Sequence, residues 1–509
     1  MNLVTSSEMT EIDRRAQEEF GIPGLLLMEN AGQRALSIWS AERDTSDPGT
    51  RVWRRGAGTR LVFAVGTGNN GGDALVMARQ AAIERLGEVV VVPVDGTLKG
   101  HAAMHLDVVR RLGISVLPWD GTRADAEAAI RNADVLFDGL AGTGIRGGLR
   151  PPLSDIVAAM NGSAAPIVAV DVPSGLSDDF LAGAPMAEAE LTLTMGLPKR
   201  CLYLPDARPS CGRIRRVAVG FPPALTESDE LPGRLVDAGD AAQRIVPLAP
   251  DDYKHRRGVC AVFAGARGTT GAAVLAATAA ARSTAGMVRV FADADAYPVI
   301  ASQCRSVMVV ERQDTAPDPA GHSALLVGPG WGRGPERRTD LLHLIETGIP
   351  GVLDADGINV LADMRGEGGE LPAFGGVWVL TPHAGELARL SGRGGREVLA
   401  DAFTVTIETA RQLDAVVCLK SHVTIIASPD GQYAVVDGMN PAMGTGGAGD
   451  VLAGMIAGLL ARGGSAFDAA VAGCSIHDAL GKRLFDERGF YLAEDLLDEL
   501  SRETARYLA

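Results

Sequence analysis

Apolar residues in this chain gather into short unbroken runs separated by stretches of helical period. After an opening helix that carries Met9, Ile12 and Ala16 on one face, residues 61–65, 89–94, 135–137 and 167–170 are apolar on both faces and bounded by turn formers, as buried parallel strands are. A second series follows at 259–263, 288–291, 324–327, 377–380 and 416–419. Between the two, from Phe221 to about Pro250, FPPALTESDELPGRL and PLAPDD are proline-rich, acidic and weakly periodic, which reads as a linker. The prediction is an α/β protein of two domains, 1–225 and 251–509, joined by 226–250. No short internal repeat appears, so the halves are expected to do different jobs.

Length agrees with this division, because 509 residues exceed what one core usually serves. Hydrophobic residues make up 46%, enough to fill two cores, and 63 Gly with 27 Pro and no collagen-like period imply many turns. Charge changes the picture more. With 48 basic against 63 acidic residues the net is −15, and the acids are scattered, so no nucleic-acid partner is expected and any anionic ligand must be gripped locally. The six cysteines, Cys201, Cys211, Cys260, Cys304, Cys418 and Cys474, form no C-x-x-C pair and no metal-like spacing; reduced thiols in a cytoplasmic protein are expected. MNLVTSSEMTEIDRR lacks the basic start and apolar core of an export signal. The longest apolar run, 451–461, is interrupted by glycine and falls short of the roughly 18 residues of a membrane span, so no membrane partner is expected.

Three glycine-rich polar loops follow strands of the first series: 66–73, 138–148 and 171–175. In a doubly wound sheet, ligands bind outside the carboxyl ends of strands, so the three can build one pocket. GTGNNG at 66–71 satisfies G-x-G-x-x-G, and Asp95 ends the following strand where a ribose-binding acid can sit. A hydride-transfer reading is nonetheless weakened. The helix is expected to open at Gly72-Asp73, placing a carboxylate where a pyrophosphate would rest. Asn69 and Asn70 also offer amide groups suited to a polar substrate or a monovalent cation. DGLAGTGIRGG offers Asp138, exposed glycine N–H groups and Arg146, and DVPSG places Asp171 and Ser174 at a strand end. Taken singly, each loop is equally an ordinary Gly/Asx turn.

NNGGD, DGLAGTGIRGG and DVPSG in this order, with GIPGLLLMENAG before them, resemble the epimerase domain of NAD(P)H-hydrate repair enzymes over nearly all of 1–220. The resemblance implies a Rossmann-like three-layer αβα sandwich. It implies that Asn69, Asn70, Gly71, Gly72 and Asp73, then Gly142, Thr143, Gly144, Ile145, Arg146, Gly147 and Gly148, and Asp171 bind the hydrated nucleotide. It also implies that Asn70, Asp138 and Ser174 coordinate potassium. The chemistry would interconvert R and S hydrates, with Asp171 as acid/base; the plain alternative is that Asp171 caps a turn. Ala74 stands where the family usually has glycine, at little cost unless the backbone there needs a positive φ.

In the second half GTGGAGD at 444–450 runs straight into VLAGMIAGLL. A glycine run opening a helix directs N–H groups and the positive dipole end to one spot. Asp450 sits there, poorly explained by phosphate binding yet well placed to take a proton from an attacking hydroxyl. The motif resembles ribokinase-like small-molecule kinases. Together with GPGWG (328–332), LDADGIN (353–359), TPHAGE (381–386) and LKSHVTII (419–426), it resembles the dehydratase domain of the same repair family from about residue 250 onward, implying a ribokinase-like αβα sandwich. Gly330, His383, Asp450 and, more weakly, Ala273 would then contact the hydrated substrate. Lys420, Ser421, His422, Val423, Thr424 and Gly449 would contact the nucleotide. His383 alone reads as readily as a helix cap, and Ser421 replaces a family glycine.

What the resemblance implies is repair of NADHX and NADPHX. Epimerisation would be followed by dehydration of the S form, with ADP (or ATP) as co-substrate, magnesium alongside it, AMP and phosphate as products of ADP, and a homo-oligomeric assembly. Two other readings stay open from the residues alone: a vitamin or sugar kinase fused to a dinucleotide-binding regulatory domain, and a first half that only binds or scaffolds. The second predicts loss of the pocket acids, yet Asp138, Asp171 and Asp450 are all present.

Overall fold

The unbroken apolar runs do form parallel strands, because only a strand covered by helices on both faces buries every side chain it carries. The computed structural model describes residues 1–44, 58–95, 98–120, 123–312 and 318–508, and the chain divides into two units, Met1–Pro232 and Gly233–Ala509.

The first unit is built on a seven-stranded sheet in the order Ser115–Val116, Glu88–Pro93, Arg60–Val65, Val135–Gly139, Ile167–Val170, Leu191–Met195, Arg213–Val217, all parallel. Alternate residues of its strands feed two separate cores. Phe63, Val91, Phe137 and Val168 pack on one side with the helices Ser6–Glu18, Gly24–Asp44, Asn69–Ile83 and Gly100–Arg111. Val62, Val92, Leu136 and Ala169 pack on the other with Arg123–Arg131 and Leu153–Asn161. The opening helix buries Met9, Ile12 and Ala16, as its periodicity requires, and is closed at its start by a Thr5–Glu8 capping box. From Arg60–Val65 the chain builds outward and then returns to that strand's other side with Val135–Gly139. This reversal opens a crevice at the strand ends.

The second sheet runs Gly233–Leu235, Tyr433–Asp437, Val423–Ala427, Val416–Leu419, Trp378–Leu380, Gly351–Leu353, Ala324–Val327, Val259–Phe263, Met287–Ala292, Met308–Glu311. It is parallel from Val416–Leu419 onward, while Val423–Ala427 pairs antiparallel with both neighbours. Val259–Phe263 and Ala324–Val327 form a second reversal. The apolar run after GTGGAGD is the helix Ala448–Ala461, buried along nearly its whole length. It lies so close to the helix Thr270–Ser283 that a Cβ at Gly454 would meet the Ala276 carbonyl oxygen at 2.1 Å. A helix apolar on all sides here is a core helix. Among the described residues no helix is long and apolar enough to cross a membrane.

The segment expected as a linker is in good part structured. Gly233–Leu235 pairs with 433–435, Asp237 caps the short helix Ala238–Ala241, and Val236, Ala241 and Ile245 join the second core. These elements are too short for periodicity to reveal them. The helix after GTG also differs from expectation. It opens at Asn69 with Gly68 as cap, and Gly72 N–H already donates to the Gly68 carbonyl at 3.2 Å, so Asp73 stands one turn in. Ala74 lies within that helix, with no positive φ, and packs where a Cβ at Gly139 would fall 2.4 Å from its methyl.

Phe137 is stacked on Phe63 at 4.2 Å and meets Trp39 edge-on at 5.1 Å, all fully buried. Phe137→Ala is expected to destabilise the first unit by about 3–5 kcal/mol, read as a shift of its urea midpoint, with Phe137→Leu costing less.

Candidate active sites

In the first unit the loops that follow Arg60–Val65, Val135–Gly139 and Ile167–Val170 meet at one cleft of about 760 Å³. The approach is close. Gly66 N–H donates to the Gly139 carbonyl at 3.0 Å, and a Cβ at Gly66 would lie 1.7 Å from the Leu140 carbonyl oxygen, so only glycine fits. Of the residues singled out from sequence, Asn69, Asn70, Asp73, Gly142, Thr143, Gly144, Ile145 and Asp171 line the cleft. Gly71, Gly72, Arg146, Gly147 and Gly148 do not. Gly71 instead backs onto the Gly66 carbonyl, 2.1 Å from where its Cβ would be.

Asp138 and Ser174 are fully buried behind the loops and do not line the cleft themselves. The Asp138 carboxylate is fully buried and accepts from Ser174 N–H at 2.7 Å, Ser174 Oγ at 2.5 Å and Leu140 N–H at 3.3 Å. Ser174 Oγ in turn accepts from Ala141 N–H at 2.9 Å. Burial pushes the Asp138 carboxyl up to about 6 against the pull of those hydrogen bonds. Among the described residues both amide atoms of the Asn70 side chain are buried without a partner, as suits a group that meets a ligand or ion.

Asp171 stands at the end of its strand with φ +68°, a left-handed conformation that costs a non-glycine residue on the order of 1 kcal/mol and is retained chiefly at functional sites. Its backbone is held by a hydrogen bond from its N–H to the Leu193 carbonyl at 2.9 Å. Its Oδ1 accepts from Met195 N–H at 2.9 Å and from the ammonium of Lys199. Lys199, missed from the sequence, is 1% exposed and also reaches Thr194 Oγ1 and the Met195 carbonyl. Its only sequence signal is a lysine just beyond the apolar run that forms Leu191–Met195.

In the second unit all the quoted motifs converge. Gly447, at φ +90°, turns the chain into Ala448–Ala461, with Asp450 in the first turn. Lys420 Nζ donates to Asp354 Oδ1 at 2.6 Å, Thr381 Oγ1 donates to the same oxygen at 2.7 Å, and a Cβ at Gly449 would lie 3.4 Å from Lys420 Nζ. Gly332 N–H donates to Asp356 Oδ2 at 2.8 Å. Gly330, at φ +55°, accepts from Ala266 N–H at 2.6 Å and from Thr269 Oγ1 at 2.8 Å. Burial, then the nearby charges of Asp354 and Asp356, push the Asp450 carboxyl up to about 7, with Lys420 opposing. For Lys420 burial works against the charge but is outweighed, chiefly by Asp354, so it is held above the usual lysine range. Beneath the loop, burial and Lys420 drive the His477 imidazole down to about 4, keeping it neutral.

His383 is a helix cap, its Nδ1 accepting from Gly385 N–H at 3.0 Å, and its ring, with Nε2 3.4 Å from Glu386 Oε1, remains 56% exposed. Ser421, His422, Val423 and Thr424 make the turn into Val423–Ala427. The Ser421 hydroxyl accepts from Val423 N–H at 3.1 Å, so the side chain that replaces glycine closes the turn. Ala273 has no exposed surface; its methyl lies under Gly265, whose Cβ would fall 2.9 Å away. Sequence reading gave Asp354, Glu386 and His477 no role, although the first two stand inside quoted motifs.

Two acid-bearing sites, each at the carboxyl ends of the parallel strands of its own sheet, define a two-site α/β enzyme. Residues 24–201 match the family model described as YjeF-related protein N-terminus, and 260–502 match that described as NAD(P)H-hydrate dehydratase. The bifunctional NAD(P)H-hydrate repair enzyme Nnr of Moorella thermoacetica is 34% identical, over 98% of this chain and 96% of that one. Its counterpart in Salinibacter ruber is 35% identical over 99% and 96%. Among solved structures, the ADP/ATP-dependent NAD(P)H-hydrate dehydratase of Bacillus subtilis, co-crystallised with ATP and Mg2+, is 26% identical and covers 54% of this chain and 98% of that chain, with TM-score 0.48. The chain belongs to the bifunctional NAD(P)H-hydrate repair enzymes, with an epimerase domain followed by a dehydratase domain.

Removing the buried cation should expose how far the first site depends on it. Lys199→Met leaves the Asp171 carboxylate without its counter-charge and is expected to cost about 3–5 kcal/mol in chemical denaturation, recovered in part by also changing Asp171 to Asn.

Proposed function

We propose that the two sites act in sequence on one damaged pool: the first interconverts R and S hydrates with Asp171 as acid/base, and the second dehydrates the S form with Asp450 as base. The observation that carries the second assignment is a carboxyl pushed up to about 7 in the first turn of a glycine-opened helix, beside Lys420. A base of that strength is matched to neutral pH.

In dehydration Asp450 takes the proton of the C6 hydroxyl as that oxygen attacks the terminal phosphate of ADP. An O–P bond forms, the bond to AMP breaks, and hydroxide has become phosphate. Phosphate then departs from C6 while C5 gives up a proton, restoring the ring double bond. N–H groups of the helix opening and the Lys420 ammonium stabilise charge on the transferring phosphoryl. Gly330 and His383 face the hydrated substrate in this reading, and Lys420, Ser421, His422, Val423, Thr424 and Gly449 the nucleotide. Ala273 acts by shaping the Gly265 turn. Magnesium carried with the nucleotide would neutralise phosphate charge.

In the first site Asn69, Asn70, Asp73 and residues 142–145 cradle the hydrate, while Gly71, Gly72, Arg146, Gly147 and Gly148, which lie off the cleft wall, serve to shape its two loops. Asn70, Asp138 and Ser174 would hold potassium. The fit rests on an interior carboxylate and an amide oxygen buried without a partner, an oxygen-donor set suited to a hard monovalent cation. Such an ion would supply fixed positive charge beneath the loop. Among the described residues no disulfide links the six cysteines, five of which are buried, which accords with a reducing cytoplasm, and a homo-oligomer is the assembly we assign, to be checked by light scattering.

Because Asp450 must be deprotonated to act, kcat/KM for dehydration of the S hydrate is expected to rise with pH through about 7 and level off above it. Asp450→Asn should lower the rate by about 100-fold or more. NADH absorbance reads both. A rate flat across pH 6 to 8 together with an active variant would overturn the assignment.

A further inference from the structure

The epimerase cleft is lined by three carboxylates, Asp13, Asp73 and Asp171, and one buried ammonium, Lys199. Asp171 holds that ammonium and the Met195 N–H. Asp13, on the first helix, accepts from Gln17 Nε2 at 2.8 Å. Asp73, one turn into the helix Asn69–Ile83, is 9% exposed and has neither ion pair nor side-chain hydrogen bond among the described residues. Burial without a partner disfavours the charged form of a carboxyl.

The geometry points to Asp73 as a second catalytic residue of this site, the acid that works opposite Asp171; the inference rests on the epimerase reading of the first unit. The environments support a split of roles. Burial, then the negative charge of Asp171, push the Asp73 carboxyl well above the usual carboxylate range, Lys199 pulling the other way. A carboxyl raised in this way, beside a second one held by an ammonium, suits the parts of acid and base.

The reaction needs both. The hydrated carbon bears a hydroxyl and the ring nitrogen, so it is a hemiaminal. Asp171 takes the hydroxyl proton, the C–O bond becomes a carbonyl, the C–N bond breaks, and Asp73 gives its proton to the departing nitrogen. The aldehyde turns, the nitrogen adds to its other face, and each proton returns to its donor. No electron is gained or lost, and the site ends as it began.

The test uses the full chain without added nucleotide, so that the dehydratase is silent, supplied with purified R hydrate and followed by chromatographic separation of the epimers. Asp73→Asn is expected to lower kcat at least 100-fold with KM within threefold, and Asp73→Glu to recover at least tenfold of that loss. Wild-type epimerisation should fall as pH rises and the raised Asp73 carboxyl gives up its proton. The groups facing Asp73 are Asp171 and Lys199 from the strand-end loops and Asp13 from the first helix, with His101 also on the cleft wall; the alkaline fall should persist in His101→Gln. An Asp73→Asn kcat within threefold of wild type, a loss confined to KM, or a wild-type rate that does not fall at alkaline pH overturns the role of Asp73. Wild-type protein that leaves the epimer ratio at its uncatalysed drift overturns the epimerase reading itself.

Discussion

Each site is organised around one lysine paired with an aspartate at the end of a parallel strand: the buried Lys199 with Asp171 in the first unit, the half-buried Lys420 with the buried Asp354 in the second. A buried charge is tolerable only when paired and hydrogen-bonded. Met195 N–H on Asp171 and Thr381 Oγ1 on Asp354 supply those further bonds. The aspartate fixes one strand end and the lysine another, so each pair sets the distance between loops that are far apart in sequence. Neither lysine is a surface charge, and a chain of net charge −15 can in this way hold anionic nucleotides with cations placed where they are needed.

Around these pairs the uncompensated carboxyls take on chemical character. Asp450 faces Asp354 and Asp356, and Asp73 faces Asp171; in both sites the single ammonium is already held by another aspartate. Burial then raises the carboxyl left over. The same construction serves two ends. In the second unit we assign the raised group as a base poised near neutrality, and in the first as the acid.

Much of this was legible from residue order. Ile167–Val170, Val259–Phe263, Ala324–Val327 and Val416–Leu419 match the apolar runs residue for residue, because both faces of a central parallel strand are buried and the signal is continuous. Edge strands such as Ser115–Val116 and Gly233–Leu235 carry too few residues for any period. Leu191–Met195, with two threonines, hid its character because Thr192 and Thr194 are buried but satisfied through hydroxyls, Thr192 on the Cys211 carbonyl. The loops were visible as glycine and Asx clusters, and their convergence followed from strand-end logic. Lys199 was not, since one lysine after an apolar run is a common surface arrangement and only the fold turns it inward. Asn69 likewise reads as loop, yet starts a helix, with Gly68 in extended backbone as its cap.

Consecutive action of two separate sites is most directly tested by repair of a mixed R and S hydrate sample, with ADP and excess protein, scored as total NADH recovered before uncatalysed epimerisation contributes. Wild type should recover all of it, and Asp171→Ala only the S share. Later addition of the Asp450→Ala protein, inactive alone, should release the remainder. Full recovery by Asp171→Ala alone, or no gain when the two variants are combined, would contradict the division of labour between the two units.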